Sequence, residues 1–183
     1  MKVLICSNLK KEKTLAVLPE AVKILSENGM IPVMAESAAE FYSSPCVEYI
    51  PEPLSLDQID ILLTVGGDGT ILKWAKKAAL ANKPLIGINT GRLGFMTSLE
   101  PEELRLLSEL KTGNYSVSKR MLMEATIYSE NSSASYLALN DIVLSKDSYS
   151  KLPEFSVCSN GFVVSRLRAD GLILSAVCGR SDN

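Results

Sequence analysis

The chain of 183 residues contains no histidine. That absence removes Ser-His-Asp and Cys-His catalysis, and every zinc site that needs imidazole. Any general base must then be a carboxylate, a lysine or a tyrosine. Cysteine is scarce: Cys6, Cys46, Cys158 and Cys178 show no C-x-x-C spacing, and three of them stand in apolar runs. Buried free thiols in a reducing cytoplasm are expected. There is no excess of basic charge. A formal net charge of -2 argues against a nucleic-acid partner. The short cluster Lys10, Lys11 and Lys13 reads as a solvated loop. No apolar run approaches the ~20 residues of a membrane span, so no membrane partner is expected. The start, MKVLICSNLKK, is too short and too soon charged for a signal peptide. Together these absences describe a cytoplasmic protein.

What is present suits one domain or two small ones, with 46% hydrophobic residues to build a core. Lys2 to Cys6 reads as a buried strand. Leu15, Leu18, Val22 and Leu25 recur at helical spacing and Gly29 marks the stop, with Pro19 as a blemish inside. Ile31 to Met34 is expected as a short strand near an edge because of Pro32. Ser37 to Pro53 is irregular, holds three prolines, and is expected to be mostly loop. Ile59 to Val65 is a third strand, Thr70 to Ala81 a helix, and Pro84 to Ile88 a fourth strand. A helix opens at Pro101 and buries Leu104, Leu107 and Leu110. Such alternation predicts an α/β N-terminal domain with an open, mostly parallel sheet. After Gly113 the helical period disappears. Met121 to Tyr128, Ser135 to Leu139, Ile142 to Leu144 and Phe155 to Cys158 are short strand-like runs, and Asn160-Gly161 is a two-residue hairpin signal. The expected domains are therefore 1–113, α/β, and 114–183, β-rich.

Thr64 to Leu72 reads TVGGDGTIL: three glycines around one acid, between a strand and a helix. Gly66, Gly67 and Gly69 would let backbone N–H groups face an anion, and the helix would add its positive end. The spacing is neither that of a P-loop nor G-x-G-x-x-G. Asp68 is out of place in a pure anion cradle. It suits a proton acceptor for an attacking hydroxyl, or a group that draws Mg²⁺ to phosphates. It equally suits an Asx-turn or helix cap. A second glycine-rich stretch, GINTGRLGF at 87–95, leaves the next strand in the same way. Further on stand Asn140-Asp141 and Arg168-Ala169-Asp170-Gly171, each ordinary turn chemistry when taken alone.

The order G-G-D-G-T, G-x-N-x-G-x-L-G-F, N-D, R-x-D-G resembles the NAD kinase family, from about Lys2 to Ser175. The first motif is shared with diacylglycerol- and sphingosine-type lipid kinases and with phosphofructokinases; the other three make the match specific. The resemblance implies an α/β domain followed by a β-rich NAD-binding domain. It implies phosphoryl transfer from ATP or polyphosphate, with Mg²⁺ or another divalent cation, to the 2′-hydroxyl of the adenosine ribose of NAD, giving NADP. By matching position, Asp68 would accept the ribose proton. Gly66, Gly67, Gly69 and Thr70 would form the phosphate-proximal loop. Leu72 and Phe95 would wall an adenine ring. Asn89 would belong to the nucleotide site through the second motif. Asn140 and Asp141 would hold NAD, with Asp where many relatives have Glu; Arg168 and Asp170 would add further contacts. Lys73 and Lys151 fall where a basic or polar nucleotide contact is common.

One departure stands against this. The family continues after R-x-D-G with a stretch like T-P-T-G-S-T-A-Y, where this chain has VCGRSDN. The β-rich domain is therefore expected to be incomplete, from truncation or a frame shift, with exposed edges that favour a homo-oligomer. Two other readings stay open. One is an inactive nucleotide-binding remnant. The other is a lipid kinase, for which no basic amphipathic helix is found.

Overall fold

Apolar runs alternate with amphipathic stretches in the first part of the chain, and each run finds a neighbour in a single sheet. The computed structural model describes residues 1–91, 94, 96–147 and 151–176. It divides into two compact units, Met1–Val117 and Ser118–Asn183. In the first, β1 (Lys2–Ser7), β2 (Ile31–Ala35), β3 (Glu48–Ile50), β4 (Ile61–Gly66) and β5 (Leu85–Asn89) form a parallel sheet in the order β3-β2-β1-β4-β5. The central strands are buried and almost wholly apolar, with Thr64 the polar exception in β4, because both of their faces are covered. Val3, Ile5, Leu63 and Val65 pack with Leu18, Val22 and Leu25 of helix α1 (Glu12–Glu27). Leu4, Cys6 and Leu62 turn to the other face, with Ala78 and Trp74 of α2 (Asp68–Leu80). The alternation along β1 thus serves two half-cores.

Helix α1 runs unbroken through Pro19. It ends at Gly29, φ +69°, where Gly29 N–H donates to Ser26 O and Met30 N–H to Leu25 O. This pair of bonds closes the last turn and launches β2 directly.

Several expectations need correction. β2 is near an edge, as expected, but one strand in from it, between the edge strand β3 and β1. Pro32 is tolerated because β3 pairs only from Val33 onward, leaving β1 alone beside the proline. The stretch 37–53 is mostly loop, as expected, but not entirely. It contains the end of a 3-10 segment, Glu36–Glu40, and the edge strand β3. α2 begins two residues early, at Asp68. The element at Pro101 is 3-10 through Ser108, with one last α turn, α3 (Glu109–Thr112), although Leu104, Leu107 and Leu110 are buried as expected. The free thiols are not all buried. Cys6 is buried, Cys46 and Cys158 are exposed, and Cys178 lies outside the described residues.

Among the described residues of the second unit the strands form antiparallel pairs. β6 (Met123–Tyr128) pairs with β7 (Ser133–Ala138), β8 (Asp141–Ser145) with β11 (Gly171–Ser175), and β9 (Glu154–Ser159) with β10 (Phe162–Arg168). Asn160 and Gly161 both have positive φ, +50° and +83°, which is the type I′ turn that Asn-Gly signals. Cys158 is exposed because it lies on one of these ribbons, whose faces are largely uncovered. Among the described residues no helix is long and apolar enough to cross a membrane.

Candidate functional site

β4 is buried along its whole length and delivers the glycine loop at the carboxyl edge of the sheet. The chain then turns straight into α2, with Gly67 as its N-cap. Thr70 N–H donates to Gly67 O at 2.8 Å. The glycines here serve two different needs. A Cβ on Gly66 would collide with the Thr70 side chain, its Cβ at 2.8 Å, so this glycine lets the turn close. A Cβ on Gly67 or Gly69 would meet nothing within 4 Å. Packing does not demand glycine at those two positions, and they leave open space over the first turn of the helix. That is the space an anion needs to approach the orphan N–H groups and the positive helix end.

Asp68 occupies the first helical position rather than the cap. Its carboxylate Oδ1 accepts the Met96 N–H at 3.2 Å. Gly94 presses against the same carboxylate: a Cβ there would lie 2.8 Å from Asp68 Cγ. The second glycine stretch therefore folds over the acid of the first, and its anchoring explains how. Thr90 N–H donates to Gly66 O at 3.0 Å. Asn89 is 4% exposed; its Oδ1 accepts the Gly91 N–H at 3.0 Å and its Nδ2 donates to Glu100 Oε1 at 3.1 Å. The buried Thr90 and Thr14 hydroxyls meet at 3.3 Å, tying the loop to α1. Beyond the loop the chain returns beside β5, with Asn89 N–H donating to Leu99 O and Leu99 N–H to Gly87 O.

An open cleft of about 1690 Å³ lies on another side of the same turn. Gly67, Gly69, Thr70 and Lys73 line it, together with Lys10 and Lys11 after β1. The strand order reverses direction between β1 and β4, so the cleft sits at the carboxyl ends of strands at a topological switch point. Open α/β sheets bind ligands there. Burial pushes the Cys6 thiol at this strand end well above its ordinary range, and Lys77 and Lys73 offset part of that rise.

Gly66, Gly67, Asp68, Gly69, Thr70, Lys73 and Asn89 are brought together in the first unit. Leu72 is exposed on α2 and is not among the residues lining the cleft. Phe95 lies outside the described residues. In the second unit, Asp141 pairs with Ser175 and Asn140 O accepts the Ala176 N–H at 2.8 Å. Asp170 lies beyond the opposite end of that ribbon, where its carboxylate pairs with Lys146 at 2.8 Å. The two positions are separated by at least four ladder steps, ~14 Å at about 3.4 Å per residue. Arg168 Nε stands 3.8 Å from Glu154, and Lys151 is exposed just before β9. Exposed pairs of this kind are worth only ~0–1 kcal/mol, so they yield readily to a ligand.

Sequence reading missed the role of Lys10 and Lys11, taken as solvent-facing loop, and missed Trp74 and Lys77 altogether. The available signal was position: Lys10 and Lys11 belong to the first strand-to-helix connection, next to the reversal of strand order. Among the described residues no three Cys, Asp or Glu side chains cluster to hold a metal ion.

Comparison with known proteins bears on the family and the fold. Residues 3–115 match the model of the ATP-NAD kinase N-terminal domain. The NAD kinase of Saccharophagus degradans is 34% identical over 166 residues, which is 88% of this chain and 56% of that protein. The NAD kinase of Chlorobium phaeobacteroides is 33% identical over 181 residues, covering 98% of this chain and 62% of that one. The crystal structure of yeast NADH kinase complexed with NADH has the same fold, with a TM-score of 0.79 at 23% identity over 96% of this chain and 57% of its own. The chain thus spans roughly three fifths of the length of these relatives. The matched region contains both glycine stretches, the returning strand and the acid they enclose, and on that ground the chain belongs to the ATP-NAD kinase family.

Proposed function

We propose that this chain carries the phosphoryl-transfer centre of an NAD kinase. The reaction is transfer of the terminal phosphoryl of ATP, or of polyphosphate, to the 2′-hydroxyl of the adenosine ribose of NAD. One observation carries the reading. Asp68 stands at the start of α2 between open space for phosphate and the second loop, which holds its carboxylate through Met96 N–H. The ribose oxygen attacks the terminal phosphorus, the bond to the bridging oxygen breaks, ADP or the shortened polyphosphate leaves, and the hydroxyl proton passes to Asp68. A divalent cation bound with the phosphates would neutralise part of their charge. Asn140, Asp141, Arg168 and Asp170 are assigned to NAD itself. The same reading has the protein working on small-molecule nucleotides in the cytoplasm, as a homo-oligomer.

The test is ATP-dependent formation of NADP by the chain and by Asp68→Asn. General-base contributions are typically ~10²–10⁴-fold. The variant should lose at least the lower figure in turnover and keep its melting temperature; near-normal turnover would reduce Asp68 to a structural residue. Asn140→Ala and Asp170→Ala should weaken NAD binding in calorimetry far more than ATP binding, and equal losses would count against a separate NAD subsite. A second reading, nucleotide binding without turnover, is favoured by one feature of the second unit. Among the described residues, none of the buried hydrophobic ones lies beyond Leu110. Binding of NAD with no NADP formed would select it.

A further inference from the structure

The second glycine stretch leaves the sheet at Asn89 and returns at Leu99, and both of its ends are fastened by Asn89. The Asn89 N–H donates to Leu99 O at 2.8 Å. Its side-chain Oδ1 accepts the Gly91 N–H at 3.0 Å, and its Nδ2 donates to Glu100 Oε1 at 3.1 Å. The residue is buried, so little water stands ready to replace a lost partner. A carboxylate only accepts and an N–H only donates, which leaves the amide one orientation. Turned over, it would set oxygen against Glu100 and NH₂ against the Gly91 N–H. Glu100 is itself held firmly. It caps the Pro101–Ser108 segment with extended backbone, φ -91° and ψ 162°, the conformation that a following proline favours. Its N–H donates to Glu103 Oε2 at 2.9 Å. Between the two fastened ends lie Gly94 and Met96, which press on Asp68 and donate to its Oδ1.

We propose that Glu100 is a positioning residue for Asp68: through Asn89 it closes the neck of the 90–99 loop and so keeps the Met96 N–H on the Asp68 carboxylate. The inference rests on the proposed role of Asp68 as proton acceptor and adds the residue that holds it in place from a distance. Glu100 is not among the residues lining the cleft, so it acts through Asn89 and Met96 rather than by contact with a ligand there. Without the carboxylate, the Asn89 amide keeps only its Gly91 bond and is free to turn. The loop end at Gly91 then loosens from the end at Glu100, and the Met96 N–H drifts from Asp68. A general base must stand within hydrogen-bond reach of its proton. A misplacement of ~1 Å costs up to ~10²-fold in rate, so the loss belongs to turnover rather than to binding.

The test compares the full chain with Glu100→Ala, Glu100→Gln and Asn89→Ala in NADP formation, ATP affinity and amide hydrogen exchange. Glu100→Ala should lower kcat at least tenfold with KM for ATP and NAD within about twofold. Kd for ATP should hold equally, read by calorimetry and from the emission of Trp74, the only tryptophan of the chain and part of the cleft wall. The Met96 amide should speed up in exchange at least tenfold more than the amides of β4. Glu100→Gln keeps an acceptor oxygen for Asn89 Nδ2 and should restore kcat and Met96 protection to within about threefold. Added to Asn89→Ala, Glu100→Ala should cost less than a further twofold, since both act on one path. A merely structural role would speed the Met96 and β4 amides by the same factor, and that result overturns the proposal. So does a failure of Glu100→Gln to restore protection, or an independent tenfold loss in the Asn89→Ala background. The kinase reading fails separately. No NADP from any form, with Met96 loosened by Glu100→Ala and restored by Glu100→Gln, keeps the hold on Asp68 and sinks that reading. NADP formed at an unchanged kcat in Glu100→Ala does the reverse.

Discussion

Asp68 keeps its place at the start of α2 because another part of the chain holds it. The carboxylate takes a backbone N–H from Met96, and Gly94 leaves no room for a side chain beside it. Gly94→Ala must push the carboxylate aside. Turnover should fall at least tenfold while Kd for ATP stays nearly constant, as measured by initial rates and calorimetry. Asn89 has both ends of its amide engaged, so Asn89→Ala leaves the Gly91 N–H and Glu100 carboxylate without their partner. Gly91 is exposed and Glu100 half-buried, so water replaces part of both bonds and the cost is ~0.5–1.5 kcal/mol, readable as a fall in melting temperature. At Cys6, burial raises the thiol pKa above its ordinary 9.0. In the unfolded chain the thiol ionises near that value, while in the folded one it stays neutral. Above pH 9 the unfolded state therefore binds fewer protons and stability falls. Folded protein treated with iodoacetamide should be alkylated at Cys46 and Cys158 but spared at Cys6, as read by mass spectrometry.

Elements follow the same division between what local chemistry fixes and what neighbours impose. The end of α1 is local. Gly29 has φ +69° and closes both bonds of the helix stop, so Gly29→Ala should cost ~1–2 kcal/mol in chemical unfolding, the strain of a Cβ in that region. Such features were legible. The period of Leu18, Val22 and Leu25, the apolar runs Val3–Cys6 and Ile61–Leu63, and Asn160-Gly161 each state their own structure. β3 was not legible, because three residues among prolines acquire strand geometry only by pairing with β2. The interior place of β2 was hidden for the same reason: Pro32 looks like an edge signal until the register of β3 is known. At the site, the loop glycines and Asp68 could be read from sequence. The clamp by Gly94 and Met96 could not, since it joins positions 26 and 28 residues away. The basic cleft was also hidden, because exposed lysines in a loop carry no mark of the strand ends they flank.

At the scale of the whole molecule, the two units differ in what their hydrophobic residues do. Among the described residues, every hydrophobic side chain that is buried lies in 1–117, between the sheet, α1, α2 and the Pro101–Thr112 segment. In 118–176 the ribbons leave large apolar groups open, among them Tyr128 at 80% exposure, Phe162 at 77% and Ile173 at 66%. A two-stranded ribbon is marginal by itself in water and needs a covered face for independent stability. Patches of this kind and unpaired strand edges favour association. Hydrogen exchange should therefore show β1 and β4 protected with the free energy of global unfolding, while β6 to β11 exchange through low-energy local opening. Residues 1–117 expressed alone should melt within a few degrees of the full chain and still quench or enhance Trp74 emission with ATP. The full chain should sediment as a concentration-dependent oligomer, and 1–117 as a monomer. Protection of the ribbons equal to that of β4 in a monomeric full chain would show that their apolar faces need no cover, and that the second unit is stabilised by something other than burial.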